Sequence, residues 1–210
     1  MSIALSQRLR DATRTLHTEV ERSGLMRRLL RGEIERRTYC QLLRNLHAIY
    51  TSLEDGLARH VDHPRLAELP LAPLARRDAL QADLVSLHGA DWADELPLVP
   101  AAQAYADHLR ALADERPQAL AAHAYVRYLG DLNGGQVLMR IVAKGLQLPP
   151  GDGVSFYDFG PAAAVTELVQ GFRAGLEQQA DDEAAAQALV QEACDGFARH
   201  KDLFEQIAAP

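Results

Sequence analysis

Apolar residues recur at helical spacing through most of the chain and almost nowhere alternate. Leu5, Leu9, Ala12, Leu16 and Val20 fall four, three, four and four residues apart, on one stripe of a first helix. Tyr39, Leu42, Leu43, Leu46, Ile49, Tyr50, Leu53 and Leu57 mark a second helix that runs to about Arg59. Thr38-Tyr39-Cys40-Gln41 has the form of a capping box, in which threonine and glutamine each satisfy the other's backbone N–H, so this helix is predicted to start there. The basic stretch Met26–Arg37 before it is assigned no element. Pro64 and Leu69–Pro73 punctuate a connection to a helix over Leu74–His88, with Leu80, Leu84 and Leu87 inward and Trp92 in the loop that follows. Pro100 opens another helix, with Ala104, Leu109 and Leu112 as expected core contacts. Pro161 to about Gln179 and Asp182 to about Ile207 complete the set, the last with Ala186, Leu189, Ala193, Phe197 and Phe204 on its apolar face.

The segment Ala121–Gly145, AAHAYVRYLGDLNGGQVLMRIVAKG, departs from this regularity. Ala124, Tyr128 and Leu132 before the centre, and Val137, Leu138, Ile141 and Val142 after it, both keep helical spacing. Between them lie Gly130, Gly134 and Gly135, each costing a helix about 1 kcal/mol relative to alanine. Residues 130 and 134 stack on one face, with 135 beside them, and that face carries no side chains. A flat group can approach such a surface closely, and the weakened helix can bend around it. Asp131 and Asn133 flank the gap, and the Asp131 carboxylate, directed largely away from the bare patch, has room to hold a water. Read alone, GDLNGG fits a tight helix crossing or an interhelical loop equally well.

Composition narrows the setting. At 210 residues with 48% hydrophobic content, the expectation is one domain, spanning 1–210, with a substantial core. Alanine and leucine dominate and β-branched runs are missing, which predicts an all-α bundle. A formal charge of −7 argues against broad nucleic-acid binding, and no apolar run approaches the roughly 18–20 residues of a membrane span, so a soluble, cytoplasmic protein is expected. Cys40 and Cys194 lie far apart outside any CxxC pattern and read as free thiols.

Two distant strings then point the same way. AHAYVRYLGDLNGGQV resembles the distal helix of the heme oxygenases, which lies over the open face of a bound heme, and LRDATRTLHTEVERS resembles their proximal helix, with His17 on the position of the iron ligand. The resemblance runs in order through nearly the whole chain and implies the heme oxygenase-like helical bundle. It also implies heme as cofactor and substrate, opened with O2 and external electrons to biliverdin, carbon monoxide and ferrous iron. His17 would hold the iron as a neutral imidazole, with Glu21, one turn on, accepting from its other nitrogen. Arg10, Tyr125 and Arg173 fall on positions that hold propionates, where arginine's planar fork suits a carboxylate. Gly130, Gly134 and Gly135 would meet the heme face, and Asp131 would act through water with Tyr50, Arg127, Asn133 and His200 in the distal network.

The chain departs from the family's pattern at three of these positions. Arg10 stands where lysine is commoner, Val169 where some relatives place a second basic residue, and His200 where an asparagine often joins the network. Two readings from other classes stay open: a heme carrier with the same pocket and no turnover, and a helical interaction domain without cofactor, which would have little use for the glycines. The chain carries no flavin or dinucleotide fingerprint, so a separate ferredoxin- or flavoprotein-type reductase is expected as partner, with the protein a monomer.

Overall fold

A computed structural model describes residues 3–208, and among these the regular structure is all helical. The α-helices are α1 (Leu5–Glu21), α2 (Gly24–Arg31), α3 (Arg36–Arg59), α4 (Arg77–Leu87), α5 (Trp92–Glu95), α6 (Pro100–Glu115), α7 (Leu120–Ala124), α8 (Gly130–Gly145), α9 (Ala162–Leu176) and α10 (Glu183–Ala208). The α3 helix is the central rod. Its apolar face carries Leu43, Ile49, Tyr50 and Leu53, all fully buried, and it packs against α4 and α6, while α10 runs along α1 and touches α2, α6 and α7. No described helix is long and apolar enough to cross a membrane.

Several sequence expectations are corrected. The basic stretch after Gly24 contains α2, a two-turn helix capped by Ser23, whose Oγ accepts from the Met26 N–H at 3.3 Å, and closed by Gly32 at φ 69°. Leu25 and Leu29 bury one side of it, and the arginines that hid it from a hydrophobic scan occupy the other. The predicted capping box does not form, because α3 begins two residues earlier at Arg36 and Thr38 lies inside the first turn. Trp92 opens the short α5 rather than a loop and packs buried against His47, ring centroids 4.9 Å apart. On α6 Leu109 and Leu112 are buried as expected, but Ala104 is exposed and Tyr105 and Ala106 turn inward in its place. Both cysteines are free, as expected.

Carboxylates fasten the helix ends that frame the centre of the molecule. Glu177, at the end of α9, accepts from the Leu5 and Ser6 amides at 2.7 and 3.0 Å and so caps the start of α1 from a distant part of the chain. Glu54 of α3 accepts from the Arg76 amide at 2.6 Å and the Arg77 amide at 3.3 Å, capping α4. Asp83 accepts from the Ser155 and Phe156 amides, both at 2.8 Å, and pins the turn that carries Phe156 and Tyr157 beneath α8. Where α8 ends, Gly145 lies on the backbone of Gly32, and a methyl group there would stand 2.6 Å from the Gly32 carbonyl oxygen. Because that neighbour is backbone, Gly145→Ala should destabilise the protein by about 1–3 kcal/mol in urea unfolding. Gly24→Ala, which meets nothing within 4 Å, should stay within about 0.5 kcal/mol of the parent. Equal midpoints for the two variants would mean that the α2–α8 crossing is not tightly packed.

Candidate functional site

The helix over 120–145 is continuous but not uniform. Between α7 and α8, Tyr125–Leu129 form a wide π-type turn, one turn before the glycines where the bend was expected. The extra residue in that turn shifts the facing of everything after it. Arg127 and Asp131 end on the inner side, four residues apart, and Gly130 and Gly134 end on the outer side, facing a cavity.

That cavity has a volume of about 810 Å³ and lies between α1 and α8. Its α1 side presents Arg10, Thr13, His17 and Glu21, and its α8 side Gly130, Asp131, Asn133 and Gly134. Leu29, Leu42, Leu46, Phe197 and Phe204 make much of the remaining wall. A methyl group at Gly130 or Gly134 would meet nothing within 4 Å, so the bare helical face expected from the sequence is present and open. Leu30 and Val137, 42% and 48% exposed, are two of the few large apolar residues left to solvent, and both border this cavity. A planar, mostly apolar ligand would cover them.

Beneath the bare face lies a closed polar cluster. Arg127, 8% exposed, donates from Nε to the Tyr50 hydroxyl at 3.1 Å, from one terminal nitrogen to Asp131 Oδ1 at 3.2 Å, and from the other to His200 Nε2. The Tyr50 hydroxyl donates to Asp131 Oδ2. An arginine has only protons to offer, so His200 Nε2 must be an acceptor and the imidazole neutral, with Nδ1–H donating to the Gly196 carbonyl at 3.3 Å. Burial, and then the Arg127 charge, hold the His200 pKa well below its ordinary value, in keeping with that tautomer. Burial raises the Asp131 pKa despite Arg127 and Tyr50, which pull it down, so this carboxylate takes a proton more readily than a surface aspartate.

The α1 side is open by contrast. His17 is half-exposed, with Nδ1 3.6 Å from a Glu21 carboxylate oxygen and the ring edge-on to Phe197 at 5.8 Å. With Nδ1 turned to Glu21, Nε2 is the nitrogen left for a ligand. Thr13, one turn before His17, donates to the Leu9 carbonyl at 2.7 Å and contacts the Tyr125 hydroxyl at 3.3 Å. Arg10 and Arg173 act electrostatically on that same phenol, which places positive charge from α1 and α9 around Tyr125 at one edge of the cavity.

The structure thus brings together Arg10, His17, Glu21, Tyr125, Gly130, Asp131, Asn133, Gly134 and Arg173 on the cavity, which Arg127 and His200 also border, with Tyr50 joined to that cluster by hydrogen bonds. Two expectations fail. Gly135 faces away from the cavity, where a methyl group would stand 3.4 Å from the Tyr157 carbonyl oxygen, so it is a packing glycine. Asn133 donates to the Leu129 carbonyl at 2.7 Å, satisfying an acceptor at the end of the π-type turn, and makes no bond to the Arg127 cluster. Thr13 was not anticipated as a site residue, although its four-residue spacing from His17 puts it on the same face.

The family model described as Heme oxygenase matches residues 3–206. Heme oxygenase 1 from Nostoc sp. is 33% identical over 207 residues, covering 99% of this chain and 87% of that one, and human heme oxygenase 1 is 35% identical over 205 residues, covering 97% and 71%. The crystal structure of heme oxygenase-2 from Synechocystis sp. in complex with heme and NO superposes with a TM-score of 0.93 at 34% identity, covering 98% of this chain and 85% of that one.

The open space at residues 130 and 134 makes a separable prediction. Gly130→Ala and Gly134→Ala should each stabilise the ligand-free protein, by about 0.5–1 kcal/mol in urea unfolding, because the helix gains propensity and nothing is displaced. Gly135→Ala should not, since its methyl group presses on Tyr157. A loss of stability at 130 or 134 would show that the face is not bare.

Proposed function

The chain belongs to the heme oxygenase family, and on that premise we propose that His17 ligates the heme iron from α1 while Asp131, held by Arg127 and Tyr50, serves the reaction from beneath α8. The chain is a heme oxygenase, which degrades heme with O2 and supplied electrons to biliverdin, carbon monoxide and ferrous iron. The observation that carries the assignment of residues is the pairing of a half-exposed His17 with a side-chain-free helical face across one cavity.

Heme, when bound, supplies both the iron at which O2 is activated and the ring carbon that is oxidised. Everything else falls to the chain. His17 would bind through Nε2, and Glu21 would accept from Nδ1–H, which fixes the tautomer and the orientation of the ring. Arg10 and Arg173, beside Tyr125, would hold the propionates and so orient the ligand in the cavity. Gly130 and Gly134 would keep side chains away from its face. Asp131 receives and returns a proton at its carboxylate through water in the cavity, a role suited to a group whose pKa burial has raised. Arg127 cannot exchange protons at working pH; it positions Asp131 and Tyr50. His200, where asparagine is commoner, fixes Arg127 from the far side.

The electrons come from a separate ferredoxin- or flavoprotein-type reductase, and the working unit is a monomer. No dinucleotide-binding fingerprint occurs within these residues, which supports an external donor.

The direct test is a heme titration followed by a reductase system in air: the Soret band should fall as biliverdin absorbance grows, and a stable complex that never degrades would make the protein a carrier. His17→Ala should lose the axial bond, read as a changed ferric heme spectrum; an unchanged spectrum would assign the ligand to another histidine. Asp131→Asn should bind heme within about threefold of the parent yet form biliverdin about a hundredfold more slowly, in line with loss of a positioned proton-transfer group. Parental turnover in that variant would remove Asp131 from the chemistry.

A further inference from the structure

Away from the cavity, three helices converge two imidazoles and a carboxylate. His108 of α6 and His123 of α7 both bring Nε2 to the same oxygen, Oε1 of Glu192 on α10, at 2.6 and 3.0 Å. All three donor atoms lie within 4.8 Å of one another. Nothing in the proposed chemistry uses them. A buried carboxylate held by one histidine is an ordinary structural pair, but here two rings from different helices aim the same nitrogen at one point. His123 is fully buried and Glu192 is 5% exposed.

The surroundings have the features of a prepared ligand set. His123 Nδ1 lies 2.8 Å from the Tyr105 hydroxyl, which fixes the ring plane and, with Nε2 in coordination, would accept the Nδ1 proton. Arg116 donates to Oε2 of Glu192 at 3.2 Å, neutralising the far oxygen and leaving Oε1 to face the imidazoles. His108 is partly exposed, so water has access from one side and can complete the coordination. Two neutral imidazoles and one carboxylate with an open position suit a divalent first-row metal such as Zn(II) or Fe(II). Bonds of about 2.0–2.1 Å in tetrahedral arrangement separate ligand atoms by about 3.3 Å, so the two imidazole–carboxylate spacings of 2.6 and 3.0 Å need widen by about 0.3–0.7 Å.

We propose that His108, His123 and Glu192 form a second metal site, a two-histidine, one-carboxylate centre for a divalent first-row cation. Binding requires each imidazole to carry its proton on Nδ1 rather than Nε2, with His123 Nδ1–H donating to the Tyr105 hydroxyl, and no electron is transferred. Tyr105 also stacks edge-on against His200 at 5.4 Å, so the centre lies one aromatic layer behind the distal cluster. Fe(II) is in the class of ion such a centre takes and is the ion heme degradation releases; that link rests on the proposed function, whereas the site itself does not.

The test uses tag-free, heme-free protein of full length. Zn(II) titrated calorimetrically should bind in one equivalent, Co(II) should give the visible absorption of a four- or five-coordinate site, and Zn(II) should raise the melting temperature. His108→Ala, a partly exposed change that spares the core, and Glu192→Gln should each weaken Zn(II) by about tenfold or more. His88→Ala, which removes a surface histidine paired with Glu95, should leave it unchanged. No stoichiometric binding, or binding untouched by His108→Ala, overturns the proposal, and because neither readout involves turnover, failure here is distinct from failure of the oxygenase assignment.

Discussion

A guanidinium withdrawn from water must be met by acceptors on every side, and Arg127 is where this fold meets that demand. Each face of the group has a partner from a different helix: Tyr50 on α3, Asp131 on α8 and His200 on α10. Removing one of them would leave a buried charge or an unfilled donor, at a cost of several kcal/mol. The cluster therefore ties three helices together at one buried point. Its local requirement is the π-type turn over Tyr125–Leu129, which brings Arg127 and Asp131 inward while the glycines stay outward. The asymmetry across α8, charged and closed beneath, bare and open above, follows from that one irregular turn.

The glycines illustrate how stability and function part. Gly145 and Gly135 are small because backbone or a tyrosine presses on them, so their cost in helix propensity is offset by packing. Gly130 and Gly134 have no such neighbour among the described residues. In the ligand-free fold they are a net loss, and compensation arrives only with something bound above them. A sequence that keeps an uncompensated weakness in an otherwise well-packed helix is organised around its ligand as much as around its core.

How far the sequence disclosed this depends on the range of the interaction. The long helices were legible because their apolar faces repeat over many turns, and the meeting of His17 and Asp131 on one cavity because each sits in a long, specific string. The α2 helix was not legible, since two turns with three arginines carry too little periodicity. The π-type turn leaves no mark in the spacing of Ala124, Tyr128 and Leu132. Gly135 and Asn133 were grouped with the site because they adjoin it in sequence, and the structure sends each elsewhere: Gly135 against Tyr157, Asn133 to its own helix. The cluster of His108, His123 and Glu192 spans residues 84 positions apart, and no local pattern connects them.

The two walls of the cavity differ in how firmly they are built. The α1 helix buries Leu5, Leu9 and Thr13, all in its first half, where Glu177 caps it, and buries nothing over the stretch that carries His17. The later half packs Leu16 and Val20 only partly against the core and sets His17 edge-on to Phe197, with Lys201 to Glu19 at 2.9 Å a surface pair of the kind worth under about 1 kcal/mol. The opposite wall rests on the Arg127 cluster and the aromatic residues beneath it. A ligand entering between them meets one firmly built face and one face whose packing is incomplete, so the contacts it makes with Val20 and His17 add to the partial packing α1 already has. Ligand affinity and the ordering of the second half of α1 are consequently the same free energy seen from two sides. The sequence reflects that division: α8 keeps the cavity face clear with glycine, and α1 places its chemistry where its own burial has run out.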